Sequence, residues 1–141
     1  MKLMPPIAIE KTYKQPIDEV WKYITNQTYL AQWLMPGNFE PIVGKSYRFD
    51  CPPDENECSD FVFGEILDVQ APHTIKFTWN TAQLHNTTVV TFSLVETNDG
   101  VTFKIAHEGF AEQDKIECEK HEMGWAHHQN LIEKIVKHEK A

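Results

Sequence analysis

Arginine is nearly missing from this chain. Arg48 is its sole arginine, and 13 basic residues stand against 21 acidic ones, for a net charge of −8 at pH 7. Nucleic-acid binding needs Lys and Arg gathered on one face to neutralise phosphates. Here the lysines are scattered and no basic run exceeds one residue, so neither nucleic acid nor an anionic membrane is expected as a partner. Long apolar runs are lacking as well: no stretch approaches the roughly 18 residues that a membrane-spanning helix needs. Met1-Lys2-Leu3-Met4 runs straight into Pro5-Pro6, so no signal-peptide core is expected. Cysteine is sparse and odd in number, at three, which fits a reducing compartment and an expected cytoplasmic location. There is no Gly-rich phosphate loop, and none of Ser46, Ser59 and Ser93 sits in a nucleophile elbow.

What is present reads as one domain spanning residues 1–141. At 141 residues, 41% hydrophobic and 11% aromatic, the chain is globular in composition and long enough to bury a sizeable core. Ile7, Ile9, Lys11 and Tyr13 alternate with Ala8, Glu10 and Thr12, the period of a strand. Pro16 suits a helix start, with Asp18 and Glu19 in the first turn, where the helix dipole favours negative charge. Val20, Trp21 and Ile24 give that helix an apolar face, and a second short helix holds Tyr29, Leu30 and Trp33 before Met35-Pro36-Gly37-Asn38 breaks it.

From residue 40 the period becomes two. Tyr47 and Phe49 share one strand face. Phe61, Phe63, Leu67 and Val69 share another, with Val62, Gly64 and Ile66 opposite. Ile75, Phe77 and Trp79 mark a further strand, and Val90, Phe92 and Leu94 the next. Asn98-Asp99-Gly100 signals a hairpin leading into Val101, Phe103 and Ile105. Connections this short imply an antiparallel meander. Residues 109–118 read as an acidic connection that could hold a short helical turn, and a long helix is predicted over residues 121 to 137. At about 100° per residue, Cys118, His121, Trp125, His128, Gln129, Ile132 and Val136 fall on one helix face. The expected architecture is α+β: a curved antiparallel sheet of about six strands gripping a long C-terminal helix, with two short helices after the first strand. A cavity opens wherever sheet and helix diverge.

These segments are similar to a known group. Ile9-Glu10-Lys11-Thr12-Tyr13-Lys14-Gln15-Pro16-Ile17-Asp18-Glu19-Val20-Trp21 resembles the opening strand and helix of the START-like helix-grip (SRPBCC) superfamily. The nearest branch is the small single-domain bacterial type of the activator of heat shock protein 90 ATPase homologue-like family. Tyr29-Leu30-Ala31-Gln32-Trp33, Gly64-Glu65-Ile66-Leu67-Asp68-Val69, Ile75-Lys76-Phe77-Thr78-Trp79, Thr88 to Leu94, His107-Glu108-Gly109-Phe110 and Gly124-Trp125 follow in the order of that pattern. The resemblance covers nearly the whole chain. It implies a helix-grip fold with a cavity between sheet and helix. It also implies a choice of roles: a binder of lipid-, flavonoid- or polyketide-like molecules, a co-chaperone that stimulates a chaperone ATPase, or a polyketide cyclase or aromatase. The extra N-terminal domain of such co-chaperones is not expected here.

The candidate ligand-binding residues are Phe103, His107, Trp125, His128, Gln129 and Ile132. Gln129 stands on an apolar stripe, where that family usually has an aliphatic residue. It faces a wet or ligand-filled cavity, reaches a backbone carbonyl, or is exposed on a rotated helix. His107 continues the inward register of Phe103 and Ile105, so it either stands at a cavity mouth, as a ligand-orienting or acid–base group, or is a satisfied structural histidine. An apolar cavity with few polar groups suits a small hydrophobic or planar aromatic ligand. No cofactor and no metal are expected. His127 and His128 diverge on the helix, and His121-Glu122-Met123-Gly124-Trp125 lacks the second histidine of a zinc-protease helix. Cys51 and Cys58 flank a six-residue segment and could be free thiols, a redox-sensitive disulfide or half a metal site. No catalytic residue is assigned.

Overall fold

Proline and asparagine set the first two helices. Pro16 caps α1 (Ile17–Thr25), whose first turn carries Asp18 and Glu19, and the Asn26 side chain accepts from the Thr28 backbone N–H to start α2 (Gln27–Trp33). In the computed structural model, which describes residues 2–50 and 61–140 with side chains to residue 135, these helices follow strand β1 (Ile7–Tyr13). The sheet then continues through β2 (Ser46–Asp50), β3 (Phe61–Gln70), β4 (Thr74–Trp79), β5 (Thr88–Thr97) and β6 (Gly100–Glu108). A single turn of 3-10 helix over Glu112–Asp114 leads into α3 (Lys115–Lys140).

The strands form one six-stranded sheet in the order β1-β6-β5-β4-β3-β2, with every neighbour antiparallel. The Asn98-Asp99-Gly100 hairpin is where it was expected. Gly100 has φ +140°, and a Cβ there would lie 2.0 Å from the Tyr13 carbonyl oxygen, so both conformation and space require glycine. The inward face carries Tyr47, Phe49, Val62, Ile66, Ile75, Phe77, Trp79, Val90, Phe92, Leu94, Val101, Phe103 and Ile105, all buried. Helix α3 lies over it through buried Trp125, Gln129 and Ile132. The helix is tied to the sheet edge by polar contacts: Lys11 Nζ meets Glu133 at 2.9 Å, and the Tyr13 hydroxyl donates to the Gln129 carbonyl at 2.7 Å.

Two expectations are corrected. Phe63 and Leu67 share a face, 45% and 39% exposed, with Val62 and Ile66 pointing inward, but Val69 leaves that face for the core. The register of β3 against β4 shifts between Ile66 and Asp68. That bulge turns Val69 back against the core, although it is an odd number of residues from Ile66. On the outer face Phe61 and Phe63 pack against each other at a 42° tilt, and the Arg48 guanidinium lies 3.9 Å over the Phe61 ring. The second correction concerns α3, which starts six residues before the predicted position, inside the acidic connection. Asp114 immediately precedes that start. It is buried, and its carboxylate accepts from the His85 backbone N–H at 2.9 Å and contacts the His85 ring at 2.6 Å. Burial alone would raise this carboxyl, but the two His85 contacts hold it below its ordinary range. Val136, Cys51 and Cys58 fall outside the side chains described.

Helix α3 is the second wall of the core, so removing it should remove the fold. Truncation after Gly124 deletes buried Trp125, Gln129 and Ile132. Large-to-small changes at such positions cost about 2–5 kcal/mol each, and together they approach the roughly 5–15 kcal/mol that holds a typical domain. The truncated chain is expected to show no cooperative thermal transition by circular dichroism. A soluble truncation that melts cooperatively would contradict this packing.

Candidate functional site

Two tryptophans and two histidines meet where the end of the sheet passes under the first half of α3. Strand period two brings Trp79 to the end of β4 and His107 to the inward face of β6, and helical period brings His121 and Trp125 onto one face of α3. The Trp125 indole N–H donates to His107 Nδ1 at 3.0 Å. The other His107 nitrogen, Nε2, lies 2.8 Å from Thr88 Oγ1, whose own proton goes to the Trp79 carbonyl at 2.8 Å. With that proton spent, His107 must donate from Nε2 and accept at Nδ1, which fixes the neutral tautomer. His121 mirrors it. Its Nδ1 lies 2.7 Å from the Glu117 carbonyl, so Nδ1 donates, and Nε2 accepts from the Trp79 indole N–H at 3.2 Å.

Protonation has no place in this network. Burial drives His107 well below the ordinary histidine value of 6.5, and the nearby His121 adds to the effect. Burial lowers His121 as well, against the partial support of Glu117. His128, about two turns further along α3, is brought down to about 4, by burial first and by neighbouring His127 in addition. The three rings are neutral at pH 7.

Above the network lies a cavity of about 110 Å³ lined by Leu34, Met35, Trp79, Glu117, Lys120, His121, Gly124, Trp125 and His128. Its indole walls have already given their N–H groups to histidines, so they offer apolar surface. Lys120 and Glu117 face each other at 3.7 Å on its rim. A wider groove of about 370 Å³ runs between α2 and α3 and shares Leu34, Gly124 and His128 with the cavity. Among the described residues, no cluster of three His, Cys, Asp or Glu side chains could hold a metal ion. No helix among them is long and apolar enough to cross a membrane.

Of the six candidate residues, Trp125 and His128 stand in the cavity wall. His107 is fully buried behind that wall, with both nitrogens engaged, and not at an entrance. Gln129 is 3% exposed, and its amide N–H donates to the Phe103 carbonyl at 3.0 Å, the backbone-carbonyl alternative. Phe103 and Ile132 are core residues beside it. Trp79, His121 and Gly124 complete the wall, and each carried a signal: strand period for Trp79, helical period for the other two. Leu34 and Met35 carried none, because only the tertiary fold lays the chain after α2 against α3.

The sequence profile of the Activator of Hsp90 ATPase homolog 1-like protein family matches residues 14–137. The chain belongs to this family. Solved structures agree on the fold. Protein MLL2253 from Mesorhizobium loti superimposes with a TM-score of 0.87 at 23% identity, over 95% of this chain and 98% of that one. Protein CV1439 from Chromobacterium violaceum gives 0.81 at 20% identity, over 93% and 96%. DynU16, a protein of the dynemicin biosynthetic locus, gives 0.79 at 18% identity, over 94% of this chain but 47% of its own length. No curated protein matches the sequence.

The geometry separates core from cavity in two ways that can be measured. Replacing Gln129 by Leu removes a buried donor and leaves the Phe103 carbonyl short of a partner. A cost of about 1–3 kcal/mol is expected, with no effect on small-molecule binding, since Gln129 lines no described pocket. Stabilisation, or lost binding, would show that Gln129 faces the cavity after all. The histidines predict a pH effect of definite sign. The unfolded chain takes up protons near pH 6.5, whereas the folded chain resists them to lower pH. Stability is therefore complete above about 6.5 and falls as the pH drops toward 5, by at most about 1.4 kcal/mol per histidine per pH unit. Urea midpoints at pH 7.5, 6 and 5 read this directly, and a flat profile would contradict the network.

Proposed function

We propose that this protein binds a small, planar, mostly apolar molecule between α3 and the end of the sheet. The observation that carries the reading is the cavity itself: two indoles that have no N–H left to offer, faced by Leu34 and Met35. A volume near 110 Å³ holds about one aromatic ring. The contiguous groove between α2 and α3 gives a second and third ring somewhere to go. A cytoplasmic location is part of the proposal, supported by the odd cysteine count.

Two other roles receive less support. A cyclase or aromatase would use His107 or His128 to move protons, but both nitrogens of His107 are committed within the core. Stimulation of a chaperone ATPase is suggested by the family's name alone. Binding without chemistry needs only what the cavity has.

The reading is tested with a panel of two-ring and three-ring aromatics and of fatty acids, followed by thermal unfolding and tryptophan fluorescence. Micromolar binding corresponds to about −8 kcal/mol. At a hundredfold excess over Kd it adds about 2.7 kcal/mol to stability, a shift of several degrees. Planar aromatics are expected to raise the melting temperature and quench tryptophan emission, and straight-chain fatty acids to do neither. A panel in which no aromatic does so would remove the proposal.

A further inference from the structure

A glycine stands well inside α3, where the protein's own packing gives it no reason to be. Gly124 lies within the run Lys115–Lys140, and glycine is the poorest helix former after proline. A fold needs glycine where the backbone takes a positive φ or where another backbone comes too close for a Cβ. Gly124 meets neither condition. The positive-φ glycines among the described residues are Gly44, Gly100 and Gly109. A Cβ on Gly64 would lie 2.1 Å from the Thr78 carbonyl oxygen, but one on Gly124 would meet nothing within 4 Å beyond the adjoining turns of its own helix.

What Gly124 borders is open space on two sides. It lines the cavity of about 110 Å³ between α3 and the sheet, and also the groove of about 370 Å³ between α2 and α3. Leu34 and His128 line both as well, but a long side chain can border two separate voids. Glycine has only its four backbone heavy atoms, so the two voids adjoin the same short piece of backbone. The place where a side chain would stand is the place where they meet. Beyond it the groove runs between Ala31 of α2 and Leu131 of α3, with Met123 standing 73% exposed at its edge.

We infer that Gly124 is the residue that sets ligand length: its missing side chain joins cavity and groove into one elongated site, and the ligand is a fused-ring planar molecule longer than the cavity, with one ring beside Trp79 and Trp125 and the rest passing over Gly124 toward Ala31 and Leu131. This rests on the ligand-binding reading above and adds the shape of the ligand and the residue that selects it.

Three probes differ in length: 4-methylpyridine, quinoline and acridine carry one, two and three rings, each with a single ring nitrogen, and all are uncharged at pH 8. Their dissociation constants are read from protein chemical shifts in NMR titrations. On the wild-type chain each added ring is expected to tighten binding by about tenfold, as more apolar surface leaves water. Gly124→Leu closes the passage and should weaken acridine by at least about tenfold while leaving 4-methylpyridine within about threefold. Gly124→Ala adds a single methyl group and a better helix former. It should raise the melting temperature of the unliganded protein by a few degrees and weaken acridine by about threefold. Ala31→Leu narrows the groove from the α2 side, at a residue that does not line the cavity, and should repeat the selective loss of acridine. Acridine bound by Gly124→Leu and Ala31→Leu as tightly as by the wild-type chain, or all three probes weakened equally, would overturn this inference and leave the cavity reading standing. Failure of every probe to bind the wild-type chain would overturn the cavity reading and this inference with it. A lowered melting temperature for Gly124→Ala would overturn the inference by showing that the protein itself fills the space.

Discussion

The buried imidazole of His107 is the constraint on which the rest of this molecule depends. It is fully enclosed, accepts from the Trp125 indole, and donates to a threonine whose own proton is already spent on the Trp79 backbone. A buried polar group is tolerated only when every valence is met, and here each partner comes from a different element: β4, β5, β6 and α3. Strand register and helix rotation are therefore fixed together. A turn of α3 about its axis would strand the indole N–H and the imidazole lone pair at once. The second pair, His121 with Trp79, repeats the device beside the first and crosses again from helix to sheet.

The helix is positioned at three points along its length. Near its start, Asp114 is clamped by His85 of the β4–β5 connection. In the middle the two tryptophan–histidine pairs hold it. Further along, Tyr13 and Lys11 of the edge strand β1 bind Gln129 and Glu133. The cavity lies between the first and last of these, on the side where Leu34 and Met35 close the gap after α2. It is hydrophobic because the polar atoms of its walls are turned away into the network behind. The polarity that sequence alone would assign to a ligand site is consumed in holding the site open.

Membership of the Activator of Hsp90 ATPase homolog 1-like protein family accounts for the fold and leaves chemistry to individual side chains. Structural neighbours at 18–23% identity share the sheet and gripping helix. Local features of this chain include a glycine in mid-helix with open space over it and, four residues later, a histidine with one buried nitrogen unpartnered.

Periodicity by itself determined the element order, the antiparallel sheet, the inward residues of most strands, and the helix stripe that carries His121, Trp125, Gln129 and Ile132. Those follow from local geometry, because alternation and helical spacing leave a one-dimensional record. It misjudged β3, where a single bulged residue reverses the phase and turns Val69 inward, off the face of Phe63 and Leu67. It also misjudged the start of α3, where the stabilising partner of Asp114 is 29 residues away. Both depend on pairings between distant segments. The same holds for the site. Helical and strand period correctly placed Gln129 and His107 inside, yet inside meant core for both, because their partners are a backbone carbonyl of β6 and an indole of α3. Whether a buried polar group faces a ligand or its own protein is decided by which atoms the tertiary fold brings within hydrogen-bonding distance, and no pattern along the chain encodes that distance.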